Sequence, residues 1–183
     1  MSITTRTGDD GTTFCASLRA RVDKDHPGIE FIGTLDKAIS AIGLARALLP
    51  GNAREEDADL ELIQRILFVL GASLSRGEAA PERAVEALEA IVEKYYREPL
   101  RHFILPAGGP AASATHLART LVREAERRLV TLRKTSQIKV DPSLIKVLNR
   151  ASDALFAMAV HLARKYGGGL EKVDLSWDFL GQG

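Results

Sequence analysis

Apolar residues recur every three or four positions in five long segments of this chain, and that periodicity constrains the fold more than any other feature of the sequence. No segment alternates apolar and polar residues as a half-buried strand would. We therefore predict five helices and no strands. Their expected bounds are about 33–49, 55–75, 81–97, 110–134 and 142–166.

Helix breakers and short connections separate these segments. Pro50 and Gly51 end the first predicted helix, and the glycine run at 167–169 stops the last one. Pro110 suits an early position of the fourth helix, because the N–H that proline lacks would have no partner there. Short connections favour antiparallel neighbours, so the sequence predicts an all-α fold, a five-helix bundle.

The length of 183 residues fits one domain, and 45% hydrophobic with 27% charged residues is typical of a globular protein. We expect a single domain over residues 1–183, with an N-terminal arm at 1–30 and a C-terminal tail at 170–183. Trp177 and Phe179 lie in that tail, where exposed aromatic residues usually cover a groove or a neighbouring subunit.

Three arginines stand four residues apart in the fourth predicted helix, at Arg119, Arg123 and Arg127. At about 100° per residue they follow one face of the helix. Forked guanidinium donors match phosphate or carboxylate oxygens, so this arginine ladder is a candidate anion site. The alternative is a solvated basic face balanced by Glu124 and Glu126.

Charge and cysteine content narrow the function classes. A formal net charge of +1 argues against a broad nucleic-acid interface, so any polyanion site must be local. Cys15 is the only cysteine, which excludes an internal disulfide and fits a reducing compartment. The polar N-terminus lacks the apolar run of a signal peptide, and no segment has the apolar length of a membrane span. We expect a cytoplasmic protein that binds neither nucleic acid nor membrane.

Residues 4–13 form a predicted polar loop near the N-terminus. Gly8 and Gly11 allow backbone conformations in which successive N–H groups point at one anion. The glycine and lysine spacing of a P-loop is absent, and a polar arm with a tight turn is the alternative interpretation. The hydroxyl donors beside the glycines are Thr7, Thr12 and Thr13.

Asp36 falls in the first turn of the first predicted helix. A carboxylate is favoured there by the helix dipole alone, so a structural role is the simplest interpretation of this residue.

Six sequence blocks, which together span most of the chain, are informative as an ordered set. They are TRTGDDGTT, GTLDKAISAIGLA, IQRILFVLGASL, FILP with the following glycines, HLARTLVREAER and LNRASDALF. Together they resemble the PduO-type cob(I)alamin adenosyltransferase family. The resemblance implies a five-helix bundle that assembles as a homotrimer, with ATP bound between adjacent subunits. It also implies transfer of the 5′-deoxyadenosyl group of ATP to the cobalt of cob(I)alamin, with release of triphosphate.

The resemblance also implies roles for individual residues. Arg123 would contact phosphate oxygens, and Arg119 would pair with Asp36 across the subunit interface. Phe103 would help to displace the lower axial ligand of cobalt, which eases reduction to the nucleophilic state. The remaining residues implied at the ATP site are Thr5, Arg6, Thr7, Gly8, Asp9, Gly11, Thr12, Thr13, Lys24, Glu126, Arg127 and Asn149.

Two further partners follow from the resemblance. Mg²⁺ would reach the site chiefly through ATP oxygens, as is usual for this ion, so no dedicated metal ligands are expected in the protein. A cobalamin-dependent acceptor enzyme could receive the product.

The chain departs from the family pattern at four positions near the implied site. Lys37 stands where the family has glutamate and Glu124 where it has arginine, while Ile39 replaces an asparagine and Val160 an arginine. The FILPGG block reads FILPAGG here. The alternative to an active enzyme is therefore a divergent homologue that binds nucleotide or corrinoid without adenosyl transfer.

Overall fold

The computed structural model describes residues 3–177, which form five α-helices and one two-stranded antiparallel sheet. The number of helices agrees with the sequence prediction, and four of them begin and end within two residues of the expected bounds. The elements are β1 (Thr12–Cys15), β2 (Ala20–Asp23), α1 (Pro27–Ala47), α2 (Arg54–Arg76), α3 (Glu82–Tyr95), α4 (Pro110–Thr135) and α5 (Pro142–Tyr166).

The start of α1 differs from its prediction. The helix begins at Pro27, six residues before Gly33, and the Nδ1 atom of His26 accepts a hydrogen bond from the backbone N–H of Gly28 at 3.1 Å. Glu30 is the acidic residue of the first turn. Asp36 therefore lies well inside the helix, and its predicted placement in the first turn is wrong.

The prediction that the chain has no strands is also wrong. β1 and β2 form a hairpin in which Thr12 pairs with Asp23 and Cys15 with Ala20. Cys15 is buried in the core, whereas most of the hairpin is exposed or partly exposed. Two strands of four residues are too short to display a clear alternation, which is why the sequence pattern did not reveal them.

α4 occupies the centre of the bundle, where it packs against α1 on one side and α5 on the other. α5 also packs against α3, and α1 against α2. Alanines at 114, 118 and 125 of α4 are buried, and such small side chains allow close approach of neighbouring helices. Larger side chains fill the core between the helices, including Phe31, Ile42, Leu60, Leu67, Leu88, Leu129, Leu148 and Leu155.

The loop before α4 meets the end of α5. A Cβ atom on Gly167 would collide with the carbonyl oxygen of Gly108, so these two backbones approach as closely as only glycine allows. Gly108 also has a φ of 107°, in the region that favours glycine. Gly167 is the C-cap of α5, which confirms the predicted helix stop.

Within residues 3–177, no helix is both long and apolar enough to span a bilayer.

Candidate active site

Arg119 is a partly buried residue of α4 with unsatisfied hydrogen-bonding capacity. Its Nε atom is buried and has no hydrogen-bond partner among the described residues. Its guanidinium lies over the ring of Phe156, 5.8 Å from the ring centre. Burial lowers the pKa of Arg119, and the nearby charge of Arg123 lowers that pKa further. An acceptor from outside this chain, on a ligand or another subunit, would stabilise such a cation.

Arg119 and Arg123 line a cleft of about 380 Å³ between α3, α4 and α5, whereas Arg127 is exposed and lies outside it. The ladder predicted from the sequence is thus divided, with two of its three arginines at the cleft. The other lining residues are Glu89, Val92, Tyr96, Arg150, Ser152, Asp153, Phe156 and Ala157.

Asn149 links α4 to α5 beside this cleft. Its Nδ2 atom donates to Glu126 Oε1 at 3.5 Å, and its Oδ1 atom accepts from Arg150 Nη1 at 2.9 Å. Arg150 in turn donates through Nε to Glu89 Oε1 at 2.7 Å. A hydrogen bond from its own N–H to Glu89 raises the pKa of Arg150. This network holds Asn149 in a defined orientation.

His116 lies one turn before Arg119 and is 3% exposed. Neither of its ring nitrogens has a hydrogen-bond partner among the described residues. Burial lowers the pKa of His116 to about 4, and the charge of Arg119 adds to this effect. His116 is therefore a neutral imidazole at pH 7, and its ring forms a T-shaped contact with the ring of Phe156 at a centroid distance of 6.1 Å.

The N-terminal loop is held together by two cations from β2 and its C-terminal flank. Arg21 donates to the carbonyl oxygen of Thr7 and, through Nε at 3.0 Å, to the hydroxyl of Thr12. Lys24 Nζ donates to the carbonyl oxygen of Gly8 at 2.6 Å. Arg21 was not predicted from the sequence, because only the hairpin register places it opposite the loop.

The loop is exposed for most of its length. Backbone and hydroxyl hydrogen bonds from Thr12 to Asp10 lower the pKa of that carboxyl. Within the described part of the chain, no hydrogen bond or ion pair joins residues 5–13 to Arg119, Arg123 or Asn149. The predicted ATP residues of the loop and of the bundle thus form two separate groups in one subunit.

Asp36 and Lys37 lie on an exposed part of α1, and neither forms an ion pair within residues 3–177. Glu124 is bound within its own chain, with Oε1 at 3.8 Å from Arg128 Nη2. Arg128 also approaches Glu30, at 4.0 Å.

The other two departures from the family pattern are part of the packing. Val160 is fully buried in α5. Ile39 is partly buried against the core, and its carbonyl oxygen accepts a hydrogen bond from Gln64 Nε2 at 3.0 Å.

Phe103 is 70% exposed on the loop between α3 and α4. Its carbonyl oxygen accepts from the backbone N–H of Val173 at 3.0 Å. The next residue, Ile104, forms an isolated bridge with Lys172. The backbone of this loop is thus anchored to the C-terminal segment while the aromatic ring stays accessible. In the predicted tail, Trp177 is exposed, and Phe179 lies outside the described residues.

A buried carboxylate of α2 that contacts the C-terminal end of α5 was not predicted from the sequence. Glu56 accepts hydrogen bonds from Lys165 Nζ at 2.7 Å and from the hydroxyl of Tyr166 at 3.3 Å, and it lies 2.9 Å from His161 Nε2. The ring of His161 packs on Tyr95 at a centroid distance of 4.7 Å. The only sequence signal was a charged residue on the apolar face of a helix. No group of three or more histidine, cysteine, aspartate or glutamate residues suited to a metal ion occurs in residues 3–177.

Comparison with known proteins identifies relatives along most of the chain. The sequence pattern of the family described as cobalamin adenosyltransferase matches residues 3–162. The corrinoid adenosyltransferase of Bacillus subtilis (strain 168) is 40% identical over 168 residues, which cover 87% of this chain and 85% of that protein. The corrinoid adenosyltransferase PduO of Salmonella typhimurium is 42% identical over 170 residues, which cover 87% of this chain and 49% of that protein.

A solved structure shares the fold. It is a variant PduO-type ATP:corrinoid adenosyltransferase from Lactobacillus reuteri, complexed with cobalamin and ATP. Its TM-score is 0.82 at 28% sequence identity, and the match covers 94% of this chain and 95% of that one.

Proposed function

This chain belongs to the cobalamin adenosyltransferase family, and we propose that, as an ATP:corrinoid adenosyltransferase, it works at the arginine-lined cleft between α3, α4 and α5. It transfers the 5′-deoxyadenosyl group of ATP to the cobalt of cob(I)alamin. The cobalt attacks C5′, and the bond between C5′ and the triphosphate oxygen breaks. The electron pair of that bond leaves with triphosphate, and the second product is adenosylcobalamin.

The nucleophile in this reaction is the reduced cobalt itself, so the protein need not supply a nucleophilic side chain or a general base. Its tasks are to align C5′ with cobalt and to stabilise charge on the leaving triphosphate. The observation that carries the proposal is the pair Arg119 and Arg123, adjacent at one cleft, with a buried donor of Arg119 lacking an acceptor. Arg123 is the exposed member and contacts phosphate oxygens.

Arg119 acts as a positioning residue through Asp36 of an adjacent subunit. Asp36 is exposed and free of ion pairs within residues 3–177, and Arg119 lacks an acceptor, so a charge-assisted bond between subunits would satisfy both. This assignment requires an oligomer, and the enzyme is a homotrimer. Light scattering coupled to gel filtration tests the trimer, since a monomeric mass at micromolar concentration would contradict it.

The N-terminal loop supplies the second half of the ATP site. Thr5 to Thr13 wrap the triphosphate of an ATP bound against the next subunit, and Lys24 adds positive charge. The separation of this loop from Arg123 within one subunit supports such a shared site. Glu126, Arg127 and Asn149 complete the site from α4 and α5. Mg²⁺ arrives bound to ATP oxygens.

Phe103 occupies the corrinoid side of the site. Its exposed ring packs against the lower face of the corrin and keeps the axial base away from cobalt. The anchored backbone of this loop fixes the position of the ring. The single, buried cysteine fits a cytoplasmic enzyme. The product of the reaction passes to a cobalamin-dependent acceptor enzyme.

A divergent homologue that binds its ligands without transfer is the second candidate. It is favoured by Glu124, which puts a carboxylate next to Arg123 and repels a triphosphate. The ion pair of Glu124 with Arg128 partly neutralises that carboxylate and weakens this objection.

The deciding experiment mixes the protein with cob(I)alamin and Mg-ATP under anaerobic conditions and follows the corrinoid spectrum. We expect formation of a light-sensitive cobalt–carbon bond and release of one triphosphate per corrinoid. A parallel sample without ATP controls for oxidation of cob(I)alamin. Binding of both ligands without a cobalt–carbon bond would establish the divergent homologue instead.

A further inference from the structure

A second cleft, of about 610 Å³, lies behind the loop that carries Phe103. Its walls come from residues 97–102 and Ile104, from Arg164 in the last turn of α5, and from Leu170 and Lys172 in the segment that follows α5. This volume is in the range of about 300–1,000 Å³ that is usual for small-molecule sites. The cleft is separate from the arginine-lined cleft, because the two have no lining residue in common.

The charge of this second cleft is strongly positive. Arg97, Arg101, Arg164 and Lys172 all line it, and Glu98 is the acidic residue among its walls. Arg164 lies 3.8 Å from Glu98, whereas the other three cations form no ion pair within residues 3–177. Clustered cations without counter-charges repel one another, and an anion bound between them would relieve that repulsion.

The two segments that form the walls of the second cleft also hold the backbone of Phe103 in place. The bridge between Ile104 and Lys172 joins its two walls next to the phenylalanine. The N–H of Val173 donates to the carbonyl of Phe103 at 3.0 Å, and the N–H of Leu105 donates to the carbonyl of Glu171 at 2.9 Å. A ligand in the cleft would therefore lie within a few residues of the ring that faces the corrinoid.

The chemistry of the substrate supplies an anion. In cobalamin the lower axial base is tethered to the corrin by an arm that contains one negatively charged phosphodiester. When the base dissociates from cobalt, the arm moves away from the lower face of the corrin ring but remains covalently attached to the edge of that ring. The apolar side chains of Leu100 and Leu170 in the cleft offer a surface for the released aromatic base.

We propose that the second cleft binds the phosphodiester of the displaced nucleotide arm of cobalamin. Arg97, Arg101 and Lys172 hold the phosphate oxygens, and the enzyme stabilises the form of its substrate that lacks the lower ligand. This inference rests on the proposed function and extends it from the reacting cobalt to the arm of the same substrate.

The test compares cobalamin with cobinamide, a corrinoid without the phosphodiester, the ribose and the base. Equilibrium binding of cob(II)alamin and of cob(II)inamide is measured spectroscopically in the presence of Mg-ATP, so no turnover is required. The variant is Arg97→Gln with Arg101→Gln. Its matched control is Arg83→Gln with Arg133→Gln, which removes the same charge near the start of α3 and the end of α4, at the opposite end of the bundle.

We expect the Arg97/Arg101 variant to bind cob(II)alamin about fivefold more weakly, as loss of two exposed charge contacts predicts, and to bind cob(II)inamide as the native protein does. The control should bind both corrinoids normally. Equal weakening for the two corrinoids, or no weakening for either, would overturn the inference. Failure of the native protein to form a cobalt–carbon bond would instead contradict the proposed function, and the binding comparison is independent of that result.

Discussion

Glu56→Gln removes a buried charge and leaves the shape of the side chain almost unchanged. Glu56 is 2% exposed and contacts His161, Lys165 and Tyr166. Burial raises the pKa of Glu56, but the hydrogen bonds from Lys165 and His161 outweigh burial and hold the pKa at about 2, against an ordinary value of 4.5. The ionised form is therefore favoured in the folded protein.

The size of the effect follows from that difference in pKa. A pKa that falls from 4.5 to about 2 on folding corresponds to about 3 kcal/mol of folding free energy at pH 7. Because the folded pKa is depressed, this contribution is fully present above pH 4.5 and is lost as the pH falls towards 2. It should still be about 3 kcal/mol at pH 5 and fall to roughly 1.5 kcal/mol at pH 3.

Urea denaturation at fixed protein concentration, at pH 7, 5, 4 and 3, measures the free energy of unfolding of the native protein and of Glu56→Gln. The matched control is Glu55→Gln, since Glu55 is the neighbouring residue and its side chain is 69% exposed, paired with Lys94 at 2.8 Å. We expect Glu56→Gln to lose about 3 kcal/mol at pH 7 and half of that at pH 3, and the control to lose under 1 kcal/mol throughout. A loss that does not change with pH, or one as small as that of the control, would refute the reasoning.

Four other variants test the site and its surroundings. Arg123→Ala should weaken ATP binding at least tenfold and leave the melting temperature of the ligand-free protein within about 2 °C, since an exposed arginine contributes little to stability until ligand is present; a large drop in melting temperature with unchanged ATP affinity would contradict the phosphate role. Phe103→Ala should slow transfer to cobalamin at least tenfold with nearly unchanged ATP affinity, and a full rate would remove Phe103 from the mechanism. Lys37 and Glu124 lie beside Asp36 and Arg123 in sequence, and we expect them to face each other across the same subunit interface. The double reversal Lys37→Glu with Glu124→Arg should then be tolerated better than either single change, and strict additivity in a double-mutant cycle would show that the two residues do not interact. His116→Leu should make unfolding less sensitive to acid between pH 6.5 and 4, because a histidine whose pKa falls on folding destabilises the fold as the pH drops through that range; an unchanged pH profile would show that His116 is not buried in its neutral form.

The helices and much of the core were predictable because their signals are local. The three- and four-residue spacing of apolar side chains determines which face of a helix is buried, and Leu60, Leu67 and Leu155 are buried as the spacing predicts. Pro110, Pro142 and Gly167 act at helix ends through their own backbone geometry, so their positions also followed from the sequence. Spacing alone also made Arg119, Arg123 and Arg127 a candidate anion site, but the individual roles of Asp36, Phe103 and Asn149 could be predicted only through the resemblance to a family.

The hairpin, the second cleft and the environments of Arg119, His116 and Glu56 depend on residues far apart in the chain. Arg21 reaches the N-terminal loop only because β2 pairs with β1, and Glu56 meets Lys165 only because α2 packs beside α5. Burial and electrostatic surroundings arise when such segments pack together, and no local pattern encodes them. The sequence by itself therefore determined which segments are helical and which faces are apolar. Tertiary packing alone decided which charged groups are buried away from water. It therefore also decided where cations of this chain lie together without a counter-charge.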